Sequence, residues 1–175
     1  MKNVSPRDAH TSFKTARALI EANRSNDALK IASQLSTQIE SELQMYGKLI
    51  EGEALLKSGN AREALNRFEA AKNLSDSWLA RFDRGRAYLA LGAFTEADSD
   101  FETCMRRRGE ATSAFLDDVP TFHYFPPVYY YLGRAQEGLG SASANESYKQ
   151  FVAIKQNGDG DPLVADARRR LSSAK

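Results

Sequence analysis

Small and large apolar positions fall in one order four times along this chain, with polar positions between them. The phrase is a small residue, a polar spacer, Ala and a larger residue. It reads Ala16-Arg17-Ala18-Leu19, Gly52-Glu53-Ala54-Leu55, Gly85-Arg86-Ala87-Tyr88 and Gly133-Arg134-Ala135-Gln136. Seven residues after each opening comes a turn former: Asn23, Gly59, Gly92 and Gly140. A second segment then brings Ala28, Ala64, Ala97 and Ala144, and four residues further Ala32, Phe68, Phe101 and Tyr148. The spacing of four in the second segment places each alanine and the residue after it on one face of a helix. A turn former between two such stripes predicts paired helices.

The pairs are expected over about 6–38, 41–73, 75–108 and 126–156, with a last helix over 161–173. Local signals set the ends. Ser5-Pro6 reads as an N-cap and a first helical residue, Asn60 with Glu63 as a capping box, Ser75 or Asp76 as a cap, and Thr95 with Asp98 as another. Pro126-Pro127 reads as the start of the seventh helix, and the eighth is expected over 141–156. Asp161-Pro162 opens the last helix, where Leu163, Ala167 and Leu171 share a face. That helix would cover the open end of a stack of pairs.

These landmarks resemble the tetratricopeptide repeat (TPR), whose signature runs over 34 residues. Leu132-Gly133, Gly85 with Tyr88, Ala64 with Phe68, and Ala97 with Phe101 carry the likeness, which spans about 6–175. Successive openings are offset by 36, 33 and 48 residues, so something is inserted before the fourth pair. The first pair departs most, with Ala16 and Ala32 at the Gly and aromatic places. The fourth has lost a residue between Ser141 and Ala144, and no pair keeps the terminal Pro. The resemblance implies an all-α, right-handed α-solenoid of four helix pairs plus a C-terminal capping helix. It also implies non-catalytic protein or peptide binding in a concave groove.

Composition narrows the function classes. In 175 residues, 27% are charged and 42% hydrophobic, which suits one folded domain. A net charge of +1 argues against a dedicated nucleic-acid binder. No apolar run approaches the roughly 20 residues of a membrane span, and the first 30 residues hold no signal-peptide core. A cytoplasmic location follows, or an extracytoplasmic one if the chain is a piece of a membrane-anchored protein. Cys104 alone forms no internal disulfide and sits at a small buried place of the repeat. Oligomeric state stays open, with the solenoid ends or Tyr129-Tyr130-Tyr131 as surfaces for self-association.

Applied to this chain, the TPR geometry turns one stripe of each first helix towards the groove: Phe13 and Arg17, Leu49 and Glu53, Phe82 and Arg86, Tyr130 and Arg134. Three of these rungs pair an aromatic with an arginine, which can hold a carboxylate through two parallel bonds. An extended peptide with acidic groups and apolar anchors would fit. Two readings stay open: a partner-binding ladder, or arginines paired with neighbouring acids beside ordinary inter-repeat packing. The Lys and Asn clamp of chaperone-tail binders is missing, since Phe13 and Leu49 stand where it begins.

The insert, 109–125, is rich in aromatics: Phe115, Phe122, Tyr124 and Phe125. It would either fill the gap between the third and fourth pairs or fold into the groove as a lid. Arg108 to Thr112, Phe115 to Pro120 and Tyr130 to Ala135 are similar in phrasing to C-terminal TPR regions of bacterial regulatory proteins such as serine/threonine kinases. That likeness implies an accessory domain of a larger signalling protein, although no kinase catalytic motif is present here. Asp117, Asp118 and His123 lack a nucleophile beside them, so no catalytic residue is expected. Asn157, Asp159 and Asp161 start with calcium-loop spacing, but Pro162 and Arg168 replace the required Gly and Glu, so neither metal nor cofactor is expected. Arg106 to Arg108 and Arg168 to Arg170 read as solvated faces.

Overall fold

Every expected turn residue adopts the left-handed conformation: Asn23 at φ 60°, Gly59 at 84°, Gly92 at 72° and Gly140 at 68°. A Cβ is crowded in that region, so Gly and Asn hold it at least cost. In the computed structural model, which describes residues 5–110, 121–155 and 160–173, these turns join helices into pairs. The pairs are α1 (Pro6–Glu21) with α2 (Ser25–Ser36), α3 (Ser41–Lys57) with α4 (Ala61–Leu74), α5 (Trp78–Ala90) with α6 (Phe94–Arg106), and α7 (Thr121–Gly138) with α8 (Ala144–Ile154). A short 3₁₀ turn, Arg108–Glu110, follows α6, and α9 (Pro162–Ser173) comes last. No strand occurs among the described residues.

Helix starts agree with the sequence reading only in part. Ser5 caps α1, its hydroxyl accepting from the Asp8 amide at 3.2 Å, and Pro6 follows. Asp161 caps α9, its carboxylate accepting from the Leu163 amide at 2.9 Å. The α5 cap is Ser77, which accepts from the Ala80 amide at 3.2 Å, rather than Ser75 or Asp76. Asp76 turns outward to hold Arg81 and Arg107. Asn60 and Ala93 precede α4 and α6 without a side-chain cap, so neither the Asn60–Glu63 box nor the Thr95–Asp98 cap forms. The tight left-handed turns already fix those entries. Residues 141–143 stay in the turn, and α8 starts at Ala144.

The largest departure is α7. It begins at Thr121, so Pro126 and Pro127 lie inside it rather than at its start. Two backbone donors are missing one turn in, which leaves the carbonyls of residues 122 and 123 without their helical bonds. Of the insert, residues 121–125 are thus the first turn of α7, residues 109–110 belong to the 3₁₀ turn, and 111–120, with Phe115, Asp117 and Asp118, lie outside the described residues.

Packing explains the small residues. A Cβ on Gly52 would come within 2.4 Å of the Phe68 ring, one on Gly85 within 2.8 Å of Phe101, and one on Gly133 within 2.7 Å of Tyr148. In these three pairs the aromatic of the second helix therefore packs directly on the first helix at the small residue, and all three rings are buried. Trp78 is buried between pairs, its indole N–H donating to the Cys104 carbonyl at 2.8 Å. It stacks on Phe82 with centroids 5.2 Å apart, and the chain of rings continues through Phe101 and Tyr131.

The first helices α1, α3, α5, α7 and α9 touch one another in order, and each second helix wedges against the next first helix. The first helices therefore form the inner layer. Val164 and Ala167 on α9 stand 34 residues after Tyr130 and Gly133, so α9 occupies the place of a first helix in a fifth pair. Its buried Val164 and Ala167 close the last core cluster with Tyr130, Tyr148 and Phe151.

Candidate functional site

Successive first helices line a common hollow of about 690 Å³. Its wall draws Arg17 from α1, Glu53 from α3, Phe82 and Arg86 from α5, and Tyr124 and Tyr131 from α7. Lys14, Ala18, Lys155 and Leu163 reach the same space from the two ends of the stack. A hollow of this size is in the range of a ligand or short peptide segment.

At its floor lies an ion cluster of two guanidiniums and two carboxylates. Arg17 donates to both Asp83 oxygens, at 2.9 and 3.4 Å, and stands 3.2 Å from Glu53. Arg86 donates to both Glu53 oxygens, at 2.7 and 3.1 Å, and to Asp83 at 2.9 Å. Asp83 is fully buried and Glu53 nearly so. Burial alone would raise the Glu53 carboxyl, but Arg17 and Arg86 outweigh it and hold its pKa at about 2. Desolvation likewise works against the charged form of Arg17, and Asp83 and Glu53 overcome it, leaving the guanidinium above its ordinary value. The cluster is charge-neutral, so each desolvated charge has a partner.

Rings cover the guanidinium faces. Arg17 has Phe13 at 5.6 Å and Tyr124 at 5.0 Å from its central carbon, and Arg86 has Phe82 at 5.9 Å and Tyr131 at 5.7 Å. Tyr124 is also 6.0 Å from Phe82, while Phe125 lies 6.2 Å from Trp78 and 5.8 Å from Tyr129. The described end of the insert thus does both things the sequence allowed: Phe125 fills the gap between pairs, and Tyr124 enters the groove. Burial raises the Tyr124 phenol, against the pull of Arg17.

The eight stripe residues separate into three groups. Arg17, Glu53, Phe82 and Arg86 line the hollow. Phe13 and Leu49 are fully buried beneath it and offer no surface to a ligand. Tyr130 and Arg134 turn to the far end: the Tyr130 hydroxyl donates to Asp166 at 2.8 Å and accepts from Arg134 at 3.3 Å. Asp166 and Glu137 also hold Arg170 there. The fourth rung is displaced because α9 supplies Asp166 beside it. Tyr130 is buried and Tyr131 packs on Phe82 and Phe101, so Tyr129-Tyr130-Tyr131 is not an open aromatic surface.

Asp83 escaped the sequence reading. Its signal was there, three residues before Arg86 and one after Phe82, but its partner Arg17 is 66 residues away. Lys14 and Tyr131 were missed as wall residues for the same reason, whereas Tyr124 lies in the insert, for which a place in the groove was one of the two readings. Cys104 is fully buried, and burial raises its thiol, which removes thiolate reactivity. The side chain of His123, and Asn157 and Asp159, lie outside the described residues. Among the described residues no helix is long and apolar enough to cross a membrane.

No protein-family model and no curated protein matches the sequence. Solved structures do. Two crystal structures of Podosopora anserina "putative kinesin light chain nearly identical TPR-like repeats", one of them carrying a single Gln-to-Met change, superpose with TM-score 0.65 at 18% identity. They cover 97% of this chain and 85% and 86% of theirs. At that identity the likeness is one of fold: the chain is an all-α, TPR-like α-solenoid. Such folds commonly mediate protein–protein interaction and are typically non-catalytic.

Proposed function

We propose that this chain is a non-catalytic scaffold that holds an extended peptide of a protein partner along its concave groove. The observation that supports this reading is the 690 Å³ hollow, walled by first helices from both ends of the stack. The neutral cluster at its floor supplies rigidity, because each guanidinium is fixed by two carboxylates. Acidic groups of the partner would meet Lys14 at the rim rather than Arg17 and Arg86, which each hold two carboxylates already, or Lys155, which stands 3.5 Å from Asp161.

The test leaves the cluster intact. Ala18 is exposed on α1 and faces the hollow. Ala18→Arg places a long side chain in the path of a ligand at a good helix position. Partners captured from the source lysate by the wild-type chain are expected to be lost by Ala18→Arg, and reduced by Lys14→Glu, at unchanged circular dichroism. Capture that is indifferent to Ala18→Arg sinks the groove reading.

A further inference from the structure

We infer that the crevice between the first turns of α3 and α5 takes the primary ammonium of a lysine side chain, at a second site apart from the hollow. The crevice measures about 140 Å³, with Glu42, Met45 and Tyr46 of α3 on one side and Ser77, Trp78 and Glu110 on the other. Most of its polar groups are already taken. The Ser77 hydroxyl accepts from the Ala80 amide at 3.2 Å and donates to the Met45 sulfur at 3.1 Å. The Trp78 indole N–H donates to the Cys104 carbonyl at 2.8 Å. Glu110 accepts twice from Arg107, at 2.7 and 2.8 Å, so its charge is largely met. Two groups remain. Glu42 is exposed, and among the described residues no cation pairs with it. Tyr46 is only 5% exposed, yet among the described residues its hydroxyl makes no hydrogen bond.

A buried polar side chain normally finds a partner, so the open valence of Tyr46 calls for one. Its ring is fixed against Phe13 at 5.2 Å and His10 at 5.5 Å, which keeps the hydroxyl where it is. Burial first, and Glu42 second, push the phenol above its ordinary range, which puts the hydroxyl near that carboxylate. A phenol oxygen beside an unpaired carboxylate suits a ligand that is positive and donates in several directions. An ammonium does both, with three donors around one charged atom. An anion would meet the charge of Glu42, and a neutral alcohol would leave it unpaired. Met45 and the edge of Trp78 supply apolar wall for the methylenes behind the charge, as lysine stems use elsewhere. The volume holds a head group and its stem, and is too small for a drug-sized ligand.

The test titrates the full chain with N-acetyl-lysinamide and follows the indole N–H signal of Trp78, the one tryptophan of the sequence, by NMR. N-acetyl-norleucinamide, an uncharged mimic of the same stem, is the control. The lysine compound is expected to shift the signal saturably and the control to leave it in place. Glu42→Gln, at an exposed position, should weaken binding at least fivefold. Tyr46→Phe should weaken it several-fold while its melting temperature stays level or rises, because the hydroxyl has no partner to lose. Ala18→Arg, which fills the hollow, should bind the lysine compound as wild type does. The inference is overturned by an absent shift in wild type, by equal binding of wild type, Glu42→Gln and Tyr46→Phe, or by equal shifts from the norleucine compound. Tighter binding of n-butylammonium or N-acetyl-argininamide removes lysine as the occupant. Binding lost in Ala18→Arg places the amine in the hollow and removes the second site. Each of these outcomes leaves the groove reading to its own capture experiment.

Discussion

Asp83 serves two guanidiniums from a site with no solvent contact. Removing it strands Arg17 and Arg86 against the single charge of Glu53. Breaking a buried pair from one side costs about 3–5 kcal/mol, and urea unfolding of Asp83→Ala should show a loss of that order. Glu53 gives the cluster its pH dependence. Its folded pKa, about 2, lies below the ordinary 4.5, so its stabilisation is complete above 4.5 and disappears as pH falls towards 2. Melting temperature in that window should fall less steeply for Glu53→Gln than for wild type, and parallel slopes would refute the assignment. Arg17, Glu53 and Arg86 were legible in the sequence because they share one register across successive pairs. Asp83 sits elsewhere in that register, at the place of Lys14, Ile50 and Tyr131 in the other pairs, and its role emerges only when three helices are brought together.

Turns and crossings are short-range features, which is why the elements were readable. Gly92 and Gly85 separate the two. Gly92 holds φ at 72° with open space around it, so Gly92→Ala costs only backbone strain, about 1–2 kcal/mol. Gly85 has an ordinary helical backbone but would push a Cβ to 2.8 and 2.9 Å from the Phe101 ring. Gly85→Ala is expected to cost about 1–3 kcal/mol through overpacking. Phe101→Leu should recover part of that loss for Gly85→Ala and none for Gly92→Ala, which a double-mutant cycle measures directly. Additive losses in both cycles would mean that the ring does not set the crossing distance. The α7 start was misread because proline is a good first residue and a poor interior one. Here aromatic contacts of Tyr124 and Phe125 extend the helix beyond it, and such contacts are written in other segments of the chain.

Across the whole molecule, α9 links the end of the stack to the groove. Its Val164 and Ala167 cover Tyr130, Tyr148 and Phe151, while Asp166 takes the Tyr130 hydroxyl at 2.8 Å and Arg170 bridges to Glu137. Leu163 and Asp161 from the same helix end line the hollow, and α7 turns Tyr130 into the core against α8 and α9 and Tyr131 towards the groove. In a stack where each pair touches chiefly its neighbours, a loss at one end weakens adjacent pairs first. Removing residues 161–175 should therefore speed amide exchange in α7 and α8 by an order of magnitude or more and leave α1 to α4 near their original protection. Asp166→Ala should do the same to a smaller degree, since it frees only the Tyr130 and Arg170 contacts. Uniform acceleration from α1 to α8 would instead mean that the Arg17–Glu53–Asp83–Arg86 cluster, which ties α1, α3 and α5 together, makes the solenoid unfold as one unit.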